Sequence, residues 1–171
     1  IQRLYAEHFA NLLIDTEPGE KDMKTAPKIV IQRALVTEST GVAMSFEPKS
    51  QAANFTSVYS TWGLAEDILR RTVARDEYLF HKWSAEKLHL VYSRAGEKEF
   101  ELQWDHGLKR LQHRPLNRVK ERGFSLSPER AQYLGTLAVR LEKELGGPVD
   151  FSWVCDGEKG ILTPNDGFKN R

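Results

Sequence analysis

The stretch Ser127–Cys155, SPERAQYLGTLAVRLEKELGGPVDFSWVC, decides the fold class. Ser127 suits a helix N-cap, Pro128 fits the first helical position, and Glu129 favours the positive end of a helix dipole. Leu134, Leu137, Ala138, Leu141 and Leu145 then recur at helical spacing as one apolar stripe. Gly146-Gly147-Pro148 ends the helix. The period changes at once to two: Val149, Phe151, Trp153 and Cys155 share one apolar strand face, while Asp150 and Ser152 point to the other. A striped helix followed by a one-faced strand predicts a long C-terminal helix packed on a sheet.

Working outward, short β-rich runs dominate. Lys28–Val36, Gly41–Phe46, Phe55–Trp62, Glu77–Trp83, Lys87–Ser93 and Glu99–Trp104 read as strands, and Thr37-Glu38-Ser39-Thr40 reads as a polar turn. Gly160–Thr163 is a last strand, reached through the turn Asp156-Gly157-Glu158-Lys159. No long helix intervenes among the early runs, so antiparallel pairing is expected. Only Gly63–Arg71 reads there as a short helix. Residues 1–14 carry Ile1, Leu4, Tyr5, Phe9, Leu12 and Leu13 at helical spacing, and residues 15–27 form a charged loop around Pro18-Gly19. The expected class is α+β in a single domain.

Composition narrows the function. The 171 residues are 40% hydrophobic and 29% charged, a globular balance. Lys plus Arg is 25 and Asp plus Glu is 24, which argues against a nucleic-acid binder driven by bulk charge. No apolar run reaches the ~20 residues of a membrane span. The lone Cys155 excludes an intramolecular disulfide and any cysteine-based zinc motif, so a reducing, cytoplasmic setting is expected. The first residue is Ile1 and nothing resembles a signal peptide, as in a piece of something longer.

Common catalytic signatures are missing: there is no phosphate-binding GxxxxGK[ST] loop, GxGxxG, HExxH or GxSxG. The five histidines show no metal-ligand spacing, and His81 and His89 fall on different strands as surface or packing residues. Cys155 lies on the apolar face of its strand and reads as a buried, inert thiol. Asp105–Gly123 is basic, with Lys109, Arg110, Arg114, Arg118, Lys120 and Arg122. It could hold a polyanion, but it lacks aromatics for base stacking and reads better as a solvated loop and edge strand. Asp150 and Ser152, with Thr163 and Asn165 on the partner run, could hold a cation or phosphate, or could form one solvated face of a hairpin.

Several segments together resemble the ATP-binding, ATP-grasp-like domain of phosphoenolpyruvate synthase and pyruvate phosphate dikinase, in its C-terminal part. They are Ile29-Val30-Ile31-Gln32-Arg33, Gly41-Val42-Ala43-Met44-Ser45-Phe46-Glu47-Pro48, Ser60-Thr61-Trp62-Gly63-Leu64-Ala65-Glu66, Asp76-Glu77-Tyr78 with Lys82, Phe124-Ser125-Leu126-Ser127, and Gly147-Pro148-Val149-Asp150-Phe151-Ser152-Trp153. Six segments in one order carry the match, over residues 28–163. The resemblance implies an antiparallel ATP-grasp-type subdomain over 28–168, with ATP and Mg2+ as ligands. Adenine would lie near Gln32, Arg33, Ala34 and Leu35, and Asp150 would touch metal and phosphate. A phosphoryl group would pass to a histidine on a separate swivelling domain.

The chain departs from the family pattern at the phosphate end. Ser152 stands where the family has Glu, Thr163 where it has Gln, and Asn165 where it has Arg. Ser and Thr are neutral, weak magnesium ligands, and Asn lacks the charged fork of Arg. The family's N-terminal half and its phosphohistidine domain have no counterpart, so a partner or the parent chain is expected to supply them. The expected function is part of an ATP-dependent phosphotransferase domain, inactive alone. The alternatives are a non-catalytic binding module on the same scaffold and, less well supported, an RNA or polyanion binder using Lys109–Arg122.

Overall fold

The computed structural model describes residues 37–64, 68, 74–84, 87–156 and 159–162. The opening helix, the loop after it, the strand at 28–36, Gln32, Arg33, Ala34, Leu35, Thr163 and Asn165 lie outside the described residues. So does most of the helix expected at Gly63–Arg71, where Ile68 alone is described as helical and buried.

Among the described residues, eight strands and two helices follow in order: β1 Ser39–Met44, β2 Phe55–Trp62, β3 Asp76–Ser84, β4 Lys87–Arg94, β5 Phe100–Asp105, β6 Arg110–Pro115, α1 Arg118–Arg122, α2 Pro128–Leu145, β7 Asp150–Asp156 and β8 Lys159–Leu162. Six strands form one sheet in the order β4-β3-β2-β1-β7-β8, and β5 and β6 form a separate ribbon. Every ladder is antiparallel. A short parallel bridge from Gly63 to Leu102 fastens the ribbon to the end of β2. The described residues thus form an α+β architecture with one main helix.

Helix α2 is capped as its sequence dictates. The Ser127 hydroxyl accepts from the Arg130 amide, Pro128 begins the helix, and Gly146 closes it at φ 74°. Replacing Ser127 with alanine is expected to cost about 1 kcal/mol, measured by urea denaturation. The buried face of α2 is Ala131, Leu134, Gly135, Ala138 and Val139. It packs on Ala43, Val58, Tyr78, Phe80, Leu88, Phe151, Trp153 and Cys155. The expected stripe is rotated slightly: Leu134 and Ala138 are buried, Leu137 and Leu141 are only partly buried, and Leu145 is exposed. Small residues take the deepest places because they let the helix approach the sheet. A Cβ on Gly135 would already sit 3.0 Å from Leu88 and 3.1 Å from Thr56.

Two local expectations are corrected. Ser39 and Thr40 belong to β1, not to a turn, and both are buried. Thr40 is tolerated in the sheet interior because its hydroxyl donates to the Trp153 carbonyl at 2.8 Å, satisfying the polar group. At the other end, Ser45 and Phe46 leave the strand, and the Ser45 amide bonds to the Val149 carbonyl at 2.8 Å. The basic stretch is also more ordered than expected. It contains β6 and the short helix α1, capped by Asn117, whose side chain accepts from the Lys120 amide. α1 is held by Trp62, whose indole donates to the Lys120 carbonyl at 2.9 Å under the Lys120 ammonium.

Candidate functional site

The two faces of the main sheet differ in kind. On the α2 side, the cross-strand row Trp153–Gly41–Ser60–Asp76 runs through four strands. On the opposite side, successive rows are Asp150–Met44–Ser57–Leu79 and Ser152–Val42–Tyr59–Glu77–Arg94. The period-2 pleat therefore puts Asp150 and Ser152 on one face with Ser57, Tyr59 and Glu77, opposite Phe151 and Trp153. Asp150 is half-buried, not enclosed in apolar packing. The distance from Ser152 to Glu77 is three strand spacings, about 14 Å.

Charge on this face collects around the buried Tyr59. The Arg75 guanidinium lies over its ring, 3.9 Å from the centroid. Glu77 sits between two arginines, 3.7 Å from Arg75 and 3.6 Å from Arg94. Burial raises the Tyr59 phenol above its ordinary value; Arg75 opposes the rise and Glu77 adds to it. A cleft of about 280 Å³ opens beside them, with aromatic and aliphatic walls from Phe55, Tyr59, Leu79 and Tyr92 and Glu47 at its rim. Burial alone would raise Glu47, but the Ser50 hydroxyl and the Ser50 and Lys49 amides outweigh it, holding the carboxyl below the usual range.

The α2 side holds a buried polar knot. Asp76 and Lys98 are fully buried and form an ion pair. The remaining Asp76 acceptor sites take the Gly96 amide at 3.0 Å, the Ser125 amide and hydroxyl at 2.6 Å each, and the Ser60 hydroxyl at 3.3 Å. Lys98 also donates to the Gly96 carbonyl at 2.9 Å, and the Tyr78 hydroxyl donates to the Leu126 carbonyl. Three of the segments quoted above, those with Ser60, Asp76-Glu77-Tyr78 and Phe124-Ser125-Leu126-Ser127, thus meet in one network. Asp76, Lys98, Ser60 and Ser125 clamp the chain before α2 onto β3, on the α2 side of the sheet.

The remaining candidates fall as follows. His81 and His89 are direct cross-strand partners, and both rings meet the edge of exposed Trp83. Cys155 is buried, and Arg130 donates to its sulfur at 3.2 Å. Lys82 pairs with Glu142 of α2 at 2.6 Å. The ribbon does bring Phe100 and Trp104 opposite Pro115 and Leu111, but alternation places Arg110 and Arg114 on its other face, with Glu101, Gln103 and Asp105. Arg114 there pairs with Asp105 at 3.3 Å. Among the described residues no group of three or more His, Cys, Asp or Glu side chains could hold a metal ion, and no described helix is long and apolar enough to cross a membrane.

Lys98, Arg75 and Arg94 escaped the sequence reading. Nothing in the pattern Glu97-Lys98-Glu99 marks its middle residue as buried, and Arg75 and Arg94 stand at strand ends, where charge is ordinary.

The fold defines an α+β domain with α2 packed on one face of its main sheet and a second face that carries Asp150, Ser152, Tyr59 and Glu77. Comparison with known proteins then places it. Residues 15–163 match the family described as pyruvate phosphate dikinase, AMP/ATP-binding domain, and the chain belongs to that family. It is 31% identical over 130 residues to phosphoenolpyruvate synthase of Escherichia coli (strain K12), covering 72% of this chain and 16% of that protein. It is 26% identical over 159 residues to phosphoenolpyruvate synthase of Helicobacter pylori, covering 84% and 19%. It is 27% identical over 145 residues to a probable phosphoenolpyruvate synthase of Methanocaldococcus jannaschii, covering 84% and 12%. The chain thus spans less than a fifth of each of these relatives.

Proposed function

We propose that this chain is the C-terminal part of an ATP-grasp-type nucleotide-binding domain serving an ATP-dependent phosphotransferase, and that it does not transfer phosphate unaided. Adenine is proposed to lie near Gln32, Arg33, Ala34 and Leu35, with the phosphates toward Asp150. The observation that carries the reading is the row arrangement. Asp150 and Ser152 share one sheet face with Tyr59, Glu77 and Arg94, which supports a surface with a carboxylate toward one edge and a cation at the other.

Phosphoryl transfer asks a protein mainly for positioning and charge. Asp150 supplies one carboxylate, the lower limit for magnesium held jointly with phosphate oxygens. Ser152 adds no charge, so the pair fits a metal arriving on a nucleotide but not a free one. Further phosphate contacts are proposed to come from the parent chain or a partner, as is the histidine acceptor. The neutral Ser152 equally favours the second reading, a binding module that has kept the scaffold without the chemistry.

Calorimetric titration of the 171-residue chain with magnesium-ATP is expected to give a Kd weaker than ~10 μM, about −7 kcal/mol. Tighter binding would overturn the proposed incompetence. The triple change Ser152→Glu, Thr163→Gln, Asn165→Arg is expected to fold and to strengthen binding at least tenfold when the rest of the domain is supplied in trans. No gain there would remove Asp150 and its neighbours from the phosphate site.

A further inference from the structure

We propose that Arg75 and Arg94 form an oxyanion seat for a phosphate or polyphosphate group, and that Glu77 occupies it as an internal competitor. The seat rests on the nucleotide reading, which already uses the face of Glu77 and Arg94, and it adds Arg75 and a separate role for the three side chains.

The geometry around Glu77 carries the proposal. Two guanidiniums approach its two carboxylate oxygens from different strand ends, Arg75 Nε to Oε1 at 3.7 Å and Arg94 NH2 to Oε2 at 3.6 Å. A satisfied guanidinium–carboxylate contact closes to about 2.7–2.9 Å. Both contacts here fall short of hydrogen bonding, and neither guanidinium makes another hydrogen bond among the described residues. Glu77 attracts both cations and saturates neither. A phosphate group carries more charge and presents three acceptor oxygens, so it can draw both forks to full contact where one carboxylate does not.

The seat is also built in advance. Arg75 is stacked on Tyr59 and four-fifths buried, so little side-chain freedom remains to lose on binding. Its backbone is pinned by Gly96: a Cβ there would fall 2.5 Å from the Arg75 carbonyl oxygen. Gly96 is in turn held by Asp76 and Lys98. The small residues Ala74, Ala95 and Gly96 leave a cleft of about 550 Å³ in front of the two arginines, with Glu97 at its border. Two arginines against Glu77 and Glu97 give the cleft no net charge, which predicts weak binding until Glu77 is neutralised.

The test uses inorganic tripolyphosphate and ATP, each without magnesium, titrated calorimetrically into the wild-type chain and Glu77→Gln. Glu77→Gln is expected to bind tripolyphosphate at least tenfold more tightly than wild type. Adding Arg94→Ala, at a side chain 61% exposed, is expected to cancel that gain with the thermal midpoint unchanged. Arg75→Lys, which keeps charge but loses the fork, should cancel most of it. Equal affinity for ATP and tripolyphosphate would show that the seat reads phosphate alone, and a preference for ATP would tie it to the nucleotide. Tripolyphosphate binding without ATP binding would keep the seat and discard the nucleotide reading. A gain below twofold in both Glu77→Gln and Glu77→Ala, or one that survives loss of Arg94, would overturn the proposal.

Discussion

Replacing Asp76 with alanine should destabilise the domain by about 3–5 kcal/mol, because it strands a fully buried ammonium with no counter-charge. The loss goes beyond one ion pair. The Ser125 and Gly96 amides and the Ser60 hydroxyl would lose their acceptor together, and the Ser125 hydroxyl would keep only Ser60. Chemical denaturation followed by circular dichroism gives the number. The double change Asp76→Leu, Lys98→Met should recover part of the loss, since removing both charges also removes the desolvation cost. A single-mutant effect under ~1 kcal/mol would mean that water reaches the pair.

The second large effect is expected at Gly41. A Cβ there would fall 1.8 Å from the Tyr59 carbonyl oxygen and 2.5 and 2.8 Å from ring atoms of Trp153. Neither neighbour can step aside. The oxygen belongs to the central ladder between β1 and β2, and Trp153 is enclosed in the core beneath α2. Overpacking usually costs 1–3 kcal/mol, and a backbone clash this close puts Gly41→Ala at about 3 kcal/mol or more. A denaturation midpoint within error of wild type would show that the strands separate to admit a methyl group. The glycine of the segment Gly41–Pro48 is therefore explained by Trp153 of the segment Gly147–Trp153, whose ring occupies the space a side chain would need.

Where punctuation was sharp, the sequence could be read to the residue. Helix α2 runs Pro128–Leu145 because a cap, a proline and two glycines mark its ends, and β2 spans Phe55–Trp62 because β-branched and aromatic residues fill it. The shared face of Asp150 and Ser152 also followed from alternation alone. Burial of polar groups was not legible. Ser39 and Thr40 look like turn residues until a backbone carbonyl on a strand more than a hundred positions away accepts the threonine's proton. Lys98 looks solvated until Asp76, 22 residues earlier, is seen beside it. Such partners are set by topology, which local pattern does not encode. The Arg75–Glu77–Arg94 cluster was hidden for the same reason, because its register across β3 and β4 includes an irregularity that no spacing rule anticipates. The proposed adenine segment Gln32–Leu35, Thr163 and Asn165 lie outside the described residues and stay as proposed.

The strand order has a consequence for how the chain reaches this state. β1 to β4 form a meander whose neighbours close short loops, so they can pair early. The contact of β1 with β7 joins positions as far apart as Thr40 and Trp153, 113 residues along the chain. During synthesis the meander must therefore wait, its Ala43, Val58, Tyr78 and Phe80 face uncovered, until α2 and β7 have emerged. Contacts this remote in sequence are slow to form. The segment that seals the middle of the sheet is made more than a hundred residues after its partner, which makes the arrival of α2 and β7 the step that separates a folded domain from an aggregating one.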